Sequence, residues 1–176
     1  MHEIEAKIHL TKKEFEQLKQ RLSQKIQMTQ KGEFKKKDTY FHSPVPHLTI
    51  RIRKVNKKNY FNIKYRSSKE GIEINKEWEW ELKRSLFFKN LLKKAGLNPY
   101  AVKFKKTHLF AWKKINIELN WVKHLGYFLE VEKLVKTEKS TPKAIQELKD
   151  VFKDLGFDDR PFEKKPYLEL LSENEN

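Results

Sequence analysis

Within residues 1–10, Met1-His2-Glu3-Ile4-Glu5-Ala6-Lys7-Ile8-His9-Leu10, polar and apolar residues alternate without a break from Glu3 onward. Successive side chains of a strand point to opposite faces. Ile4, Ala6, Ile8 and Leu10 therefore share one face, and Glu3, Glu5, Lys7 and His9 share the other. The same alternation returns at Leu48–Arg53, Phe61–Arg66, Glu77–Leu82, Val102–Lys105, Ile115–Asn120 and Leu129–Glu132. Each polar face carries one dominant sign. Arg51 and Arg53, Lys64 and Arg66, and Lys103 with Lys105 are basic; Glu77, Glu79 and Glu81, Glu118, and Glu130 with Glu132 are acidic. An ordinary half-solvated sheet mixes Thr, Ser, Gln and both signs on its wet side. Two architectures accommodate the pattern. In one, an antiparallel sheet packs its apolar face on helices and leaves the charged face in water. In the other, the sheet closes on itself with the charges inside. Unpaired buried charges cost several kcal/mol each, so a charged interior has to be a wet tunnel that holds a ligand. Cations on some walls and carboxylates on others suit a polyanion together with divalent cations.

The remainder of the chain supports a single α+β domain over residues 1–171, with 172–176 as a frayed tail. Thr11 with Glu14 forms a capping box ahead of an amphipathic segment carrying Phe15, Leu18 and Leu22. Ser85–Ala95, stopped by Gly96, and Thr141–Leu155, with Pro142 in its first turn and Gly156 after it, read as two further helices. Tyr167–Leu171 reads as a helical turn or a strand.

The 176 residues include 39 Lys and Arg against 24 Asp and Glu, a formal charge of +15, and no Cys. Disulfides, thiolate zinc sites and cysteine nucleophiles are thereby excluded. The mean hydropathy is −0.86, and no apolar run is long enough to span a bilayer as a helix. Aromatic residues at 12% exclude a disordered chain. The first ten residues lack a basic segment followed by an apolar core, so no secretory leader is expected and a cytoplasmic location is the default. The positive charge points to an anionic partner, although the excess is lysine, which also serves solubility.

In order along the chain, these stretches resemble the CYTH superfamily, the triphosphate tunnel metalloenzymes. Glu3-Ile4-Glu5-Ala6-Lys7 matches the ExExK signature. Asp38-Thr39-Tyr40-Phe41 resembles D-x-Y-F, and Leu48–Arg53 resembles the L-R-I-R strand. Lys64 and the pair Glu77 and Glu79 follow in place. Ile117–Asn120 with Leu125–Glu132 resembles I-x-L-D…LG-x-F-x-E-I-E, and Pro166–Leu171 resembles the tail of the bacterial class IV adenylate cyclase-like branch.

The resemblance implies a closed or nearly closed eight-stranded antiparallel tunnel with helices outside, binding a small-molecule triphosphate with Mg²⁺ or Mn²⁺. On it, Glu3, Glu5, Glu130 and Glu132 are candidate metal ligands, with Glu77 and Glu79 as second choices. Lys7, Arg51, Arg53, Lys64 and Lys105 are candidate phosphate ligands, and Glu3, Glu5, Lys7 and Lys64 the candidate catalytic set. The chemistry implied is triphosphate hydrolysis or, alternatively, class IV-type cyclisation of ATP to cyclic AMP, by a monomer or homodimer. Two positions depart from the pattern. Asn120 stands where the family has aspartate, and Thr107 where it has arginine in K-x-R after Lys105. The His-Phe pair that precedes ExExK in some cyclases is here only Met1-His2. A third reading is a non-catalytic binder of polyphosphate, nucleotide or RNA, since lysine interleaved with Trp and Phe suits single strands. Against it, Trp78 and Trp80 lie on the apolar face, where covering helices are expected.

Overall fold

The computed structural model describes residues 1–26 and 28–174. Eight antiparallel strands close into a barrel: β1 (His2–Leu10), β2 (Thr29–Phe41), β3 (Leu48–Val55), β4 (Lys58–Lys69), β5 (Ile72–Glu81), β6 (Pro99–Trp112), β7 (Ile115–Val122) and β8 (Gly126–Val135). Around the barrel the order is β1-β5-β4-β3-β2-β6-β7-β8, with β8 pairing back onto β1. Four helices decorate it: α1 (Lys12–Gln24), α2 (Ser85–Lys94), α3 (Thr141–Asp154) and α4 (Tyr167–Asn174). Closure settles the two architectures left open by the alternation. The charged faces point inward, and the apolar faces point out toward the helices.

The main core therefore lies outside the barrel wall. Ile4, Ala6 and Ile8 of β1, Ile117 and Leu119 of β7, and Leu129 and Val131 of β8 are sealed beneath Phe15, Leu18 and Leu22 of α1 and Leu148, Val151 and Phe152 of α3. The capping box at Thr11 forms as expected. The Glu14 amide donates to Thr11 Oγ1 at 3.2 Å, and the Thr11 amide donates to Glu14 Oε2 at 2.7 Å. This stops β1 and turns the chain back over the wall it has just built. A second cluster holds α2, through Leu92 and Phe88, over Phe41, Ile50 and Ile52. A tight turn joins β4 to β5 at Glu70-Gly71, both with positive φ. A Cβ on Gly71 would sit 3.1 Å from Cβ of Phe162, so glycine there serves conformation and close approach at once.

Three features differ from the sequence reading. The seven alternating stretches lacked an eighth strand, which is β2. Its outward side chains at 33–37 are Glu33, Lys35 and Lys37 and its inward ones include Lys36 and Asp38, so polar residues occupy both faces and no apolar period appears. Trp78 and Trp80 are not beneath helices: α2 sits over β2, β3 and β4, and the two rings remain 45% and 50% exposed. Helix α4 carries regular structure through Ser172–Asn174, inside the stretch expected to fray; residues 175 and 176 lie outside the described residues. No helix among the described residues is long and apolar enough to cross a membrane.

Truncating Leu148, which is fully buried between α3 and the barrel wall, is expected to cost about 2–5 kcal/mol in urea unfolding. Trp80→Ala, at a half-exposed position, is expected to cost about 1 kcal/mol or less.

Candidate active site

The inward positions bring cations and carboxylates into one cavity. Lys7, Lys36, Arg51, Arg53, Lys64, Arg66, Lys103 and Lys105 face Glu3, Glu5, Asp38, Glu73, Glu77, Glu118, Glu130 and Glu132. Eight formal cations against eight formal anions make the interior close to neutral. The pairs fill the lumen so well that only ≈ 50 Å³ of free space remains.

Register dictates who meets whom. Glu5 of β1 is level with Glu132 of β8 on one side and with Glu73 of β5 on the other. This like-charge alignment places carboxylate oxygens of Glu3, Glu5 and Glu132 within 4.8 Å of one another. Lys64 is their main counter-ion, at 2.6 Å from Glu3 and 3.6 Å from both Glu5 and Glu77. One ammonium does not neutralise three carboxylates. Burial, reinforced by Glu118 and Glu5, pushes Glu132 up to about 7. Burial also lifts Glu3 well above the usual carboxylate range despite Lys64, with Glu77, Glu132 and Glu5 adding to the rise. Asn116 donates to Glu132 at 2.7 Å and fixes its orientation. The trio has the donor set of a hard divalent cation: several carboxylate oxygens and an excess of negative charge.

The opposite part of the lumen is saturated. Arg53 grips Asp38 with both arms of its fork, at 2.8 and 3.0 Å, and Arg51 and Lys103 approach the same carboxylate at 3.6 and 3.4 Å. Burial acts to raise Asp38, but Arg53, Lys103 and Arg51 hold it well below its ordinary value. Lys105 binds Glu118 at 2.9 Å and Glu130 at 2.8 Å. Lys7 binds Glu73 at 2.8 Å. Three cations thus crowd one aspartate, which leaves cationic capacity for an anion lying along this wall.

The expected residues distribute accordingly. Glu3, Glu5 and Glu132 converge. Glu130 instead turns to Lys105 and Asn120, and its Oε1 is buried without a hydrogen-bond partner. Glu77 is engaged by Lys64, Arg51 and Asn62, and against the effect of burial Lys64 and Arg51 hold it at about 2. Glu79 lies on the exposed end of β5, away from the cavity lining. Lys7, Arg51, Arg53, Lys64 and Lys105 all reach the interior.

The two departures from the pattern prove to be a single feature. Thr107 and Asn120 are directly opposite on β6 and β7. The Thr107 hydroxyl donates to Asn120 Oδ1 at 2.7 Å, and Asn120 Nδ2 donates to Glu130 at 2.7 Å and Glu118 at 3.3 Å. One cation and one anion are missing together, so the balance of the lumen is kept and a neutral hydrogen-bonded pair takes their place. Asn120 acts here as a donor between carboxylates, away from the Glu3–Glu5–Glu132 trio.

The sequence reading assigned no role to Lys36, Asp38, Glu73, Glu118 or Asn116. Extending the alternation of β5 back from Glu77 through Asn75 to Glu73 would have found Glu73. Tyr167 was legible only as part of the tail. Its ring closes one end of the lumen, with Lys103 Nζ 4.8 Å from its centroid and Lys7 and Lys105 at 5.6 and 5.8 Å.

A closed antiparallel barrel lined by balanced charges, with an under-neutralised carboxylate trio beside a row of cations, forms a charge-lined tunnel with a candidate metal position. The chain belongs to the CYTH domain family, which matches residues 1–167. Among solved structures, the PH1012 protein of Pyrococcus horikoshii OT3 is similar at 26% identity, covering 96% of this chain and 98% of that one with a TM-score of 0.81. A Vibrio parahaemolyticus protein that carries the provisional name adenylate cyclase shares the fold at 14% identity, with 98% of each chain covered and a TM-score of 0.80. The S. pombe RNA triphosphatase Pct1 shares it at 16% identity, covering 85% of this chain and 77% of that one, with a TM-score of 0.55. No match to a curated protein was found.

The raised Glu132 carboxyl has a consequence for stability. Its folded value of about 7 lies above its unfolded one near 4.5, so the folded state binds the extra proton and loses stability as pH rises through this window. In metal-free protein, Glu132→Gln is expected to raise stability at pH 8 by on the order of 2–3 kcal/mol and to change it little at pH 4.5. Urea denaturation at the two pH values measures this.

Proposed function

We propose that this chain is a divalent-metal-dependent enzyme acting on triphosphates, and that it hydrolyses the terminal phosphate of tripolyphosphate or of an organic triphosphate. The observation that carries the reading is the convergence of Glu3, Glu5 and Glu132 within 4.8 Å of one another in a cavity whose other wall is lined by Arg51, Arg53, Lys103 and Lys105. A bound Mg²⁺ or Mn²⁺ supplies Lewis acidity toward phosphate oxygens and a more acidic water. Glu3, Glu5 and Glu132 would hold it, and its charge would offset the burial and the neighbouring carboxylates that raise Glu3 and Glu132. Arg51 and Arg53 grip phosphate oxygens through planar forks, while Lys7, Lys64 and Lys105 meet them as point charges. Each of these cations already has a carboxylate partner, so substrate enters by exchanging internal ion pairs for phosphate contacts. The triphosphate alone would leave a near-neutral lumen strongly negative, and a divalent cation would offset part of that charge. Lys64 bridges the two regions through its contacts with Glu3, Glu5 and Glu77, a position from which it stabilises charge developing on the transferred phosphoryl group.

A second reading, cyclisation of ATP, has one structural feature in its favour. A groove of ≈ 720 Å³ adjoins the tunnel, shares Arg66, Glu73 and Leu168 with it, and is lined by Tyr65, Tyr100 and His47. It has room for a nucleoside.

Orthophosphate release and cyclic AMP formation distinguish the two. Tripolyphosphate has no ribose and no α-phosphoester, so only terminal cleavage consumes it. The expected result is orthophosphate from tripolyphosphate at least as fast as from ATP, dependent on Mg²⁺ or Mn²⁺, with little cyclic AMP. Cyclic AMP without orthophosphate would establish the second reading. Glu5→Gln, which keeps the side chain's shape and removes its charge, is expected to abolish turnover while thermal melting shows a folded protein. Arg53→Lys is expected to weaken apparent substrate binding about tenfold, because it keeps the charge and loses the fork, on the scale of one charge-assisted hydrogen bond.

A further inference from the structure

One sector of the barrel's outer surface is basic without acidic neighbours, while the remainder mixes both signs. Between residues 39 and 69 and again between 82 and 117 the sequence contains no Asp or Glu at all. Asp38, just before the first stretch, is fully buried. The wall formed by β6, β2 and β3 with α2 therefore shows solvent no carboxylate from residue 34 to residue 55, or along α2 and β6. Lys35, Lys37, Lys54, Lys93, Lys106 and Lys123 are exposed on it. Among the described residues, none of these six forms an ion pair with a carboxylate.

This wall is also one of the parts of the barrel that no helix covers fully. Along β6 the outward residues Tyr100, Val102 and Phe104 are 49%, 47% and 41% exposed. Register sets lysines and rings into two rows. Lys54 is level with Lys37, and Lys37 with Phe104. Two residues along, Lys35 is level with Lys106, and Lys106 with Trp121. The rows lie about 7 Å apart, twice the rise per strand residue. Lys37 and Lys123 stand 5.2 and 5.8 Å from the centroid of Phe104, and Lys106 stands 5.2 Å from that of Trp121. Burial together with the crowding of Lys37, Lys54 and Lys93 lowers the nearby Lys89; Glu33, an outward carboxylate of β2, lies further along the strand, level with His108.

Lysine on an exposed strand commonly guards a sheet edge against pairing, but a closed barrel has no edge to guard. Solubility accounts for lysines and leaves the exposed rings among them without a role. A partner that fits both features carries regularly spaced negative charges and flat apolar faces. We propose that the outer β2–β6 wall binds single-stranded nucleic acid, with phosphates on the lysine rows and bases stacked on Phe104 and Trp121. This surface lies outside the lumen and does not depend on the triphosphate reading. An acidic polypeptide would satisfy the lysines and not the rings.

Fluorescence anisotropy with a labelled single-stranded oligonucleotide of roughly 16 residues, the upper range for such sites, tests the proposal. Binding is expected to weaken roughly 10- to 50-fold between about 50 and 200 mM salt, as for three or four neutralised phosphates. Phe104→Ala is expected to weaken it roughly 5- to 150-fold, the scale of one lost base–ring stack, while Phe104→Trp retains it; melting curves check that both variants fold. Tripolyphosphate is expected to displace the oligonucleotide no more than sodium chloride does at matched ionic strength, because the proposed surface lies outside the lumen. Four results would overturn the proposal. They are displacement by tripolyphosphate beyond that of sodium chloride at matched ionic strength, equal affinity for an acidic peptide of matched charge, oligonucleotide affinity indifferent to Phe104→Ala in a folded variant, and absence of oligonucleotide binding at low salt.

Discussion

Burying many charges in one barrel is possible only if each meets a partner, and that requirement constrains the rest of the molecule. An unpaired ion in a protein interior costs several kcal/mol even after relaxation. The lumen meets the condition by grouping strands of one sign, the mainly acidic β7, β8, β1 and β5 against the mainly basic β4, β3 and β6, so that closure and register set opposite charges against each other where the groups meet: Lys105 of β6 against Glu118 of β7 and Glu130 of β8, Lys64 of β4 against Glu3 and Glu5 of β1. A slip of one residue in any strand would send its charges into the outer core and its Ile and Leu side chains into the lumen. The interior ion pairs and the external apolar core therefore specify the same register. The helices follow from it, because a barrel filled with charge must keep its hydrophobic core outside and needs α1 and α3 to cover it.

The exception to the pairing rule marks the candidate metal position. Glu5 and Glu132 are level across β1 and β8, and Glu3 lies close by, with Lys64 as the main compensation. A structure selected for stability alone would place a cation there. The price of the exception appears in the raised carboxyls of Glu3 and Glu132. Across the lumen the imbalance is reversed, with Arg51, Arg53 and Lys103 around Asp38. Local excess of negative charge on one side and of positive charge on the other gives a neutral cavity a polarity, suited to a divalent cation and a polyanion bound side by side.

The Thr107–Asn120 pair shows the same constraint at work on sequence variation. Losing arginine at 107 alone would leave an acid at 120 uncompensated between Glu118 and Glu130. With both charges replaced, Thr107 and Asn120 bond to each other and Asn120 still donates to both glutamates. Net charge and polar satisfaction survive.

The alternation from Glu3 to Leu10, and its six repeats, determined that this chain makes antiparallel strands with one apolar and one charged face; the ordered motifs carried the resemblance to the CYTH family and most of the lumen residues. Local signals also placed α1, α2 and α3, since caps and terminal glycines act within a turn. What the sequence alone left open was decided by closure. Alternation is identical for an open sheet with a wet charged face and for a barrel with charges inside, because it records only which residues share a face. Strand β2 had no apolar period, since Lys35 and Lys37 look out from the part of the strand that α2 leaves uncovered, while Phe41 lies beneath it; its place is fixed by pairing with β3 and β6. The division of the glutamates depended on tertiary structure as well. Glu130 and Glu132 are equivalent in the sequence, yet Lys105 and Asn120 reach the first while, among the described residues, Asn116 alone hydrogen-bonds the second, so one is neutralised and the other joins the carboxylate trio. Cross-strand neighbours come from segments far apart in the chain, and only the closed barrel brings them to the same level.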